Sequence, residues 1–304
     1  SDKDEEDLRW AIQLGADLIA LSFVRSAADY EDVARIMAEE GRTLPVIAKV
    51  EKPQAVANLE EIVDAFDGVM VARGDLGVEL PLEDVPLVQK RAIELCRANA
   101  KPVIVATQVL ESMTHSPVPT RAETSDCANA ILDGTDAVML SGETSVGDYP
   151  FITVETMARI IKNTEEKGFT RIAPFLTTPK TRGGAITHAA AEVAEVLDVK
   201  YIVTFTQSGD SALRMARLRP ETPMLAFTPD LHTQKRLALS WGVNAQLVDH
   251  VDSTDDMVNL VDSYLKDNGL AQDGDYVVVV SGTPVGVPGT TNSFFVHKVG
   301  QVRG

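Results

Sequence analysis

Within residues 1–165, short apolar, β-branched runs alternate with amphipathic stretches of helical period, and few folds accept that rhythm. The apolar runs are Leu18–Phe23, Val46–Val50, Gly68–Ala72, Pro102–Ala106 and Asp136–Leu140. Runs this continuous read as strands of a parallel sheet buried on both faces. The intervening stretches, at about 3–14, 27–40, 54–65, 84–99, 121–132 and 150–165, predict helices outside that sheet. Several runs end in polar or charged residues: Ser22, Lys49 with Glu51, Arg73 with Asp75, Thr107, and Ser141 with Glu143. In a (β/α)8 barrel such ends share one rim, where the chemistry sits. Five strands fall short of the eight that close a barrel, so the expectation is a partial barrel of about five strands. An open doubly wound sheet would also take five strands, but it explains the shortfall less well.

Residues 166–182 break the rhythm with Gly, Pro and Thr, and a linker is placed at 169–182. It separates a partial-barrel domain, 1–168, from an α/β domain, 183–304. In the latter, strands are expected at Tyr201–Thr206, Met224–Thr228, Ala245–Val248 and Tyr276–Ser281, with an edge strand at Ser293–Val299. Helices are expected at about 183–197, 210–217, 231–240 and 254–267, which makes a mostly parallel five-stranded sheet.

Composition narrows the partners. A net charge of -17 repels nucleic acid and anionic membranes, so neither is expected. An anionic substrate would need a local cationic device, such as a bound metal, a buried Lys or a helix N-terminus. No apolar run approaches the roughly 20 residues of a membrane span, and the first residues, Ser-Asp-Lys-Asp-Glu-Glu-Asp, are the opposite of a signal peptide. Cys96 and Cys127 lie in helical stretches and are read as reduced, partly buried thiols, which points to the cytoplasm.

The strand ends carry the chemistry. In Val46-Ile-Ala-Lys-Val-Glu51, alternation puts Lys49 and Glu51 on one side of the chain. A Lys pointing into a barrel mouth is costly unless it meets an anion there, although a plain strand-end ion pair fits the same pattern. In Val71-Ala-Arg-Gly-Asp-Leu-Gly77, a tight loop is expected to offer backbone N–H groups around Gly74. Asp75 would join Glu51 as a hard oxygen ligand for Mg²⁺. Thr107 and the set Ser141-Gly-Glu143 add hydroxyl and carboxylate groups to the same rim.

The runs SFVR, IAKVEKP, VMVARGDLGVELP, PVIVATQVLESM and PTRAETSDCANAILDGTDAVMLSGETSVGDYP, in this order, resemble the successive motifs of the pyruvate kinases. The second domain resembles that family's C-terminal regulatory domain in length and layout. The resemblance implies phosphoryl transfer from phosphoenolpyruvate to ADP, giving pyruvate and ATP in glycolysis, by a homotetramer. Glu51 and Asp75 would hold Mg²⁺ or Mn²⁺, and Lys49 would neutralise the phosphoryl group and the enolate. Gly74, Asp75 and Thr107 would seat the substrate carboxylate, while Thr107, Ser141 and Glu143 would lie near the route of enolate protonation. Ser22, Arg25 and Arg73 would support the site. The family's first three barrel strands, its lid, a phosphoryl-binding Arg and its K⁺ ligands have no match here, so these 304 residues alone are expected to be inactive.

Two other functions fit parts of the pattern: a metal-dependent aldolase or lyase acting on pyruvate enolate, and a non-catalytic effector-binding module. A phosphorylated allosteric effector is expected at Thr206, Gln207, Ser208, Gly209 and Ser211, where a strand runs into a helix start. Capping of that helix by Ser208 or Asp210 is the plainer reading. The facing loop, Gly282–Thr291, lacks the Trp and Arg used by relatives activated by fructose bisphosphate. A monophosphate such as AMP is therefore favoured over a bisphosphate.

Overall fold

A computed structural model describes residues 1–282 and 289–301. The chain forms two compact units that divide between Ala173 and Pro174. The first holds five strands: β1 (Ile19–Leu21), β2 (Val46–Val50), β3 (Gly68–Ala72), β4 (Val103–Ala106) and β5 (Ala137–Met139). They pair in chain order, β1-β2-β3-β4-β5, and every pair is parallel. Helices precede, separate and follow them: α1 (Asp2–Leu14), α2 (Asp29–Glu39), α3 (Pro53–Ala57), α4 (Leu59–Ala65), α5 (Arg73–Glu79), α6 (Val85–Ala98), α7 (Arg121–Asp133), α8 (Gly142–Ser145) and α9 (Pro150–Gly168).

Strand periodicity sorts the side chains. Val46, Ala48, Val50, Val69, Val71, Val103 and Val105 pack with helix residues such as Met37, Ile62 and Ile93 in one core. Ile47, Met70 and Ile104 occupy the alternate positions and are also buried. Burial on both faces is why β3 and β4 are continuously apolar, and β2 is apolar but for Lys49. The edge strands β1 and β5 are shorter than expected, three residues each. An edge strand has one ladder partner only, so its ends leave the sheet sooner. At the N-terminal rim two carboxylates start the ladders: Val46 N–H donates to Asp67 (2.8 Å) and Val103 N–H to Asp136 (3.1 Å). Asp136, expected in the strand, is instead its bracket.

Two helices differ from expectation. The stretch 54–65 divides at Asn58, whose side-chain amide donates to the Arg25 carbonyl at 3.0 Å. The tight loop expected after β3 is helix α5. Its Leu76 is fully buried, and that burial overrides the helix cost of Gly74 and Gly77. At the other end of the unit, α7 closes with Gly134 at φ 94°, and Arg97 packs where a Cβ would stand. Both cysteines are free and buried, and burial pushes the Cys127 thiol up to about 11.

The second unit is a sheet of β6 (Tyr201–Phe205), β7 (Met224–Thr228), β8 (Val243–Leu247), β9 (Tyr276–Gly282) and β10 (Thr291–Lys298), with α10 (Arg182–Val196), α11 (Asp210–Ala216), α12 (Leu231–Leu237) and α13 (Thr254–Asp267). The order is β10-β9-β6-β7-β8, with β10 antiparallel at the edge and the rest parallel. Alternate strand residues feed two cores. Val203, Phe205, Leu225 and Phe227 pack with Val261 and Leu265 of α13, while Ile202, Val278 and Val280 pack with Ala190 and Ala194 of α10. The chain order reverses between β6 and β9, the kind of switch point that opens a crevice at strand ends. Among the described residues no helix is long and apolar enough to cross a membrane.

Candidate active site at the strand ends

Because β1–β5 are all parallel, their C-terminal ends meet at one rim. The expected polar residues fall there in three linked groups. In the first, Lys49 Nζ lies 2.5 Å from Glu51 Oε1 and donates to Ser22 Oγ at 2.9 Å. Glu51 is 1% exposed, and its other oxygen accepts the Phe23 N–H at 2.9 Å. The i, i+2 spacing on β2 thus gives the same-side pair that alternation requires. A buried carboxylate is costly alone, and here one cation and one backbone donor satisfy it. Lys52 stands beside this group, 2.6 Å from Glu79 and over the ring of Phe23. Arg25 is exposed, and its guanidinium joins none of these bonds; its backbone N–H meets Asp29 at 2.6 Å.

The second group joins β3 to β4. Gly74 N–H donates to Thr107 Oγ1 at 2.7 Å, and that hydroxyl donates to the Ala106 carbonyl at 2.7 Å. The two groups assigned to a substrate carboxylate therefore bind each other. A Cβ at Gly74 would stand 3.2 Å from Thr107 Oγ1, so Gly permits the approach. Arg73 donates to the carbonyls of Thr107 and Gln108, each at 3.1 Å, and pairs with Asp126 at 2.7 Å. Asp75 is exposed and makes no side-chain hydrogen bond or ion pair among the described residues.

The third group joins β4 to β5. Glu143 is fully buried, and its two oxygens accept the N–H groups of Leu110 (3.2 Å) and Ser141 (2.7 Å). The three groups place Lys49, Arg73, Glu51, Asp75, Asp126 and Glu143, the hydroxyls of Ser22 and Thr107 and the Gly74 N–H around one sheet end. Backbone strain gathers there too. Phe23, Thr107 and Gln108 have φ of 58°, 65° and 53°, a region that non-glycine residues seldom enter.

Sequence reasoning missed Phe23, Gln108, Leu110 and Asp126. Gln89 carried a weak signal, a polar residue in the apolar stripe of α6; it is 3% exposed and faces Arg73. Asp126 carried none.

The donor set fits a hard divalent ion completed by substrate and water oxygens. Glu51 and Asp75 follow adjacent strands; Asp75 offers an exposed carboxylate, and Glu51 would add an oxygen that now meets Lys49 or the Phe23 N–H. Mg²⁺ commonly takes one or two carboxylates together with substrate phosphates. Among the described residues no group of three or more His, Cys, Asp or Glu side chains could form an all-protein cage.

The pyruvate kinase barrel-domain family model matches residues 1–154, and the pyruvate kinase alpha/beta-domain model matches residues 184–297. A pyruvate kinase of Mycobacterium intracellulare is 56% identical over 301 residues, which cover 99% of this chain and 64% of that protein. One from Corynebacterium efficiens is also 56% identical, covering 63% of its own length, and one from Geobacillus stearothermophilus is 45% identical, covering 52%. The chain therefore spans less than two thirds of the length of these relatives. With two family models matched in chain order over most of its length, this chain belongs to the pyruvate kinase family.

Proposed function

We propose that the rim is the phosphoryl-handling part of a pyruvate kinase active site, serving transfer from phosphoenolpyruvate to ADP in a polypeptide of full family length. The observation that carries this reading is the Lys49–Glu51 pair, 2.5 Å apart with Glu51 buried, beside an exposed Asp75 that is unengaged among the described residues. Glu51 and Asp75 would hold Mg²⁺ or Mn²⁺, which when bound supplies positive charge to the phosphoryl oxygens. Lys49 is a quarter exposed and held by short contacts to Ser22 and Glu51, so its ammonium can serve developing charge without large reorganisation. Thr107 and Gly74 bind one another at 2.7 Å. A substrate carboxylate would take over the Gly74 N–H and accept the Thr107 O–H once that hydroxyl turned away from the Ala106 carbonyl. Glu143, with both oxygens engaged by backbone donors, serves proton transfer by holding Ser141 and Leu110 in place. The same reading brings a cytoplasmic homotetramer; K⁺, if bound, would be held by groups outside these 304 residues. The family match disfavours the aldolase alternative.

Asp75→Asn in the full-length protein is expected to raise the Mg²⁺ concentration for half-maximal activity by roughly tenfold, the effect of losing one charged ligand worth about 1.4 kcal/mol. Initial rates across a Mg²⁺ titration measure this. An unchanged requirement would remove Asp75 from the metal set.

For the second unit we propose a phosphorylated effector at the β6–β9 switch point. A pocket there is lined by Thr206, Gln207, Ser208, Ser211, Phe227 and Thr291, among others. Thr206 Oγ1 accepts the Gly209 N–H at 2.9 Å, and Ser211 meets Thr291 at 2.6 Å. Neither Ser208 nor Asp210 caps α11; Gly209 occupies the cap with no side-chain bond. Asp210, whose charge opposes an anion, is paired with Arg214 at 2.6 Å. Part of the facing loop, residues 283–288, lies outside the described residues. Ser208→Asp is expected to weaken AMP binding to the 304-residue chain by roughly tenfold through like-charge repulsion. Calorimetric titration reads it, and equal affinities in wild type and variant would count against the site.

A further inference from the structure

Two consecutive residues of β-hostile conformation end strand β4. Thr107 and Gln108 both have positive φ, 65° and 53°, and neither is glycine. For a β-branched Thr that region is disfavoured by contact between Cβ and the backbone. Such a turn persists only where its surroundings hold it. The turn also sends the carbonyls of both residues toward a single side chain. Arg73 Nη2 donates to each at 3.1 Å, and its Nε reaches Thr107 O at 3.4 Å. Arg73 Nη1 contacts Asp126 at 2.8 Å and Gln89 at 3.5 Å. The Arg73 side chain is 11% exposed, so these contacts face little competition from water. A planar, five-donor fork suits this arrangement, whereas an ammonium offers one point of charge.

The contact is reciprocal. The side chain of Arg73 holds the backbone of Thr107 and Gln108, and the backbone N–H of the next residue, Gly74, holds the side chain of Thr107 at 2.7 Å. We infer that Arg73, anchored by Asp126, is a positioning residue that clamps the strained Thr107–Gln108 turn and so fixes the Thr107 hydroxyl against Gly74. The clamp itself stands whatever the reaction is; only its kinetic consequence rests on the phosphoryl-transfer reading above.

The test uses the 304-residue chain and hydrogen exchange at the Gly74 amide. Arg73→Lys keeps the charge opposite Asp126 but loses the fork, and the Gly74 amide should exchange roughly tenfold faster or more as the turn opens. Gln108→Gly removes strain from one of the two residues, since glycine enters positive φ without a Cβ clash. In the double variant Arg73→Lys/Gln108→Gly, Gly74 protection should return most of the way to wild type. A general loss of packing would not be rescued by a glycine. Wild-type protection in Arg73→Lys, or a double variant as open as the single, would overturn the clamp. If Arg73→Lys exposes amides throughout the first unit, Asp126→Asn replaces it: the anchor weakens, Gly74 exchange should quicken, and Gln108→Gly should again restore it. An unmoved Gly74 amide in Asp126→Asn would overturn the clamp equally. In a full-length protein, Arg73→Lys should lower kcat/KM for phosphoenolpyruvate on the order of 10²-fold, as a small misplacement of a seating group does, with recovery in the double variant. An inactive wild type would refute the phosphoryl-transfer reading and leave the exchange result to judge the clamp.

Discussion

Replacing Lys49 by Met in a full-length protein is expected to lower phosphoryl transfer by at least 10²–10³-fold, roughly the cost of removing one preorganised electrostatic donor. The ammonium is held 2.9 Å from Ser22 Oγ and 2.5 Å from Glu51, so it needs little rearrangement to meet charge that develops during transfer. Met fills similar volume without charge, which keeps the rim packed. Glu51 would then lose its cation but keep the Phe23 N–H, and a bound divalent ion would meet one fewer positive neighbour. Mn²⁺ affinity, read by paramagnetic resonance, should accordingly hold or rise while turnover collapses. Asp75→Asn should do the reverse. If both variants lost activity alike and excess Mn²⁺ restored both, the division of labour between Lys49 and the two carboxylates would be wrong.

The second large effect is on stability. Glu143→Ala should cost about 2–6 kcal/mol, because it leaves two buried backbone donors unsatisfied. Glu143 has no exposed surface, and its two oxygens hold the N–H groups of Leu110 and Ser141. Alanine would leave both donors without their acceptor at the point where β4 and β5 end, and each unsatisfied buried donor costs about 1–3 kcal/mol. Glu143→Gln, which keeps an oxygen acceptor, should lose about half as much. Urea denaturation of the 304-residue chain measures both. A loss below about 1 kcal/mol for alanine would show that water replaces the carboxylate, and the positioning role would fall.

Much of the rim was legible in the sequence, for reasons that are local. The strand positions followed from continuous apolar runs, and their shared direction followed from the helices between them. Lys49 and Glu51 had to share a side of β2, and they form an ion pair. What failed was also local in origin. The Arg73–Gly77 segment has two glycines and reads as a loop, yet the burial of Leu76 makes it part of a helix. Asp136 opens an apolar run and reads as strand, yet it serves as an acceptor for Val103. Ser141 and Glu143 were legible as strand-end polar residues, but not the fact that Glu143 spends both oxygens on backbone donors.

The sequence by itself determined the strand-and-helix order, the faces of each strand and the identity of the charged residues at their ends, because periodicity and side-chain chemistry act over a few residues. Only the tertiary structure decided which ends meet: Gly74 with Thr107 across 33 residues, Arg73 with Asp126 across 53, and Glu143 with Leu110 across 33. It also decided the positive φ of Phe23, Thr107 and Gln108, which local preference opposes. Such conformations exist because contacts from distant parts of the chain repay them, and that energy is absent from any short stretch of sequence.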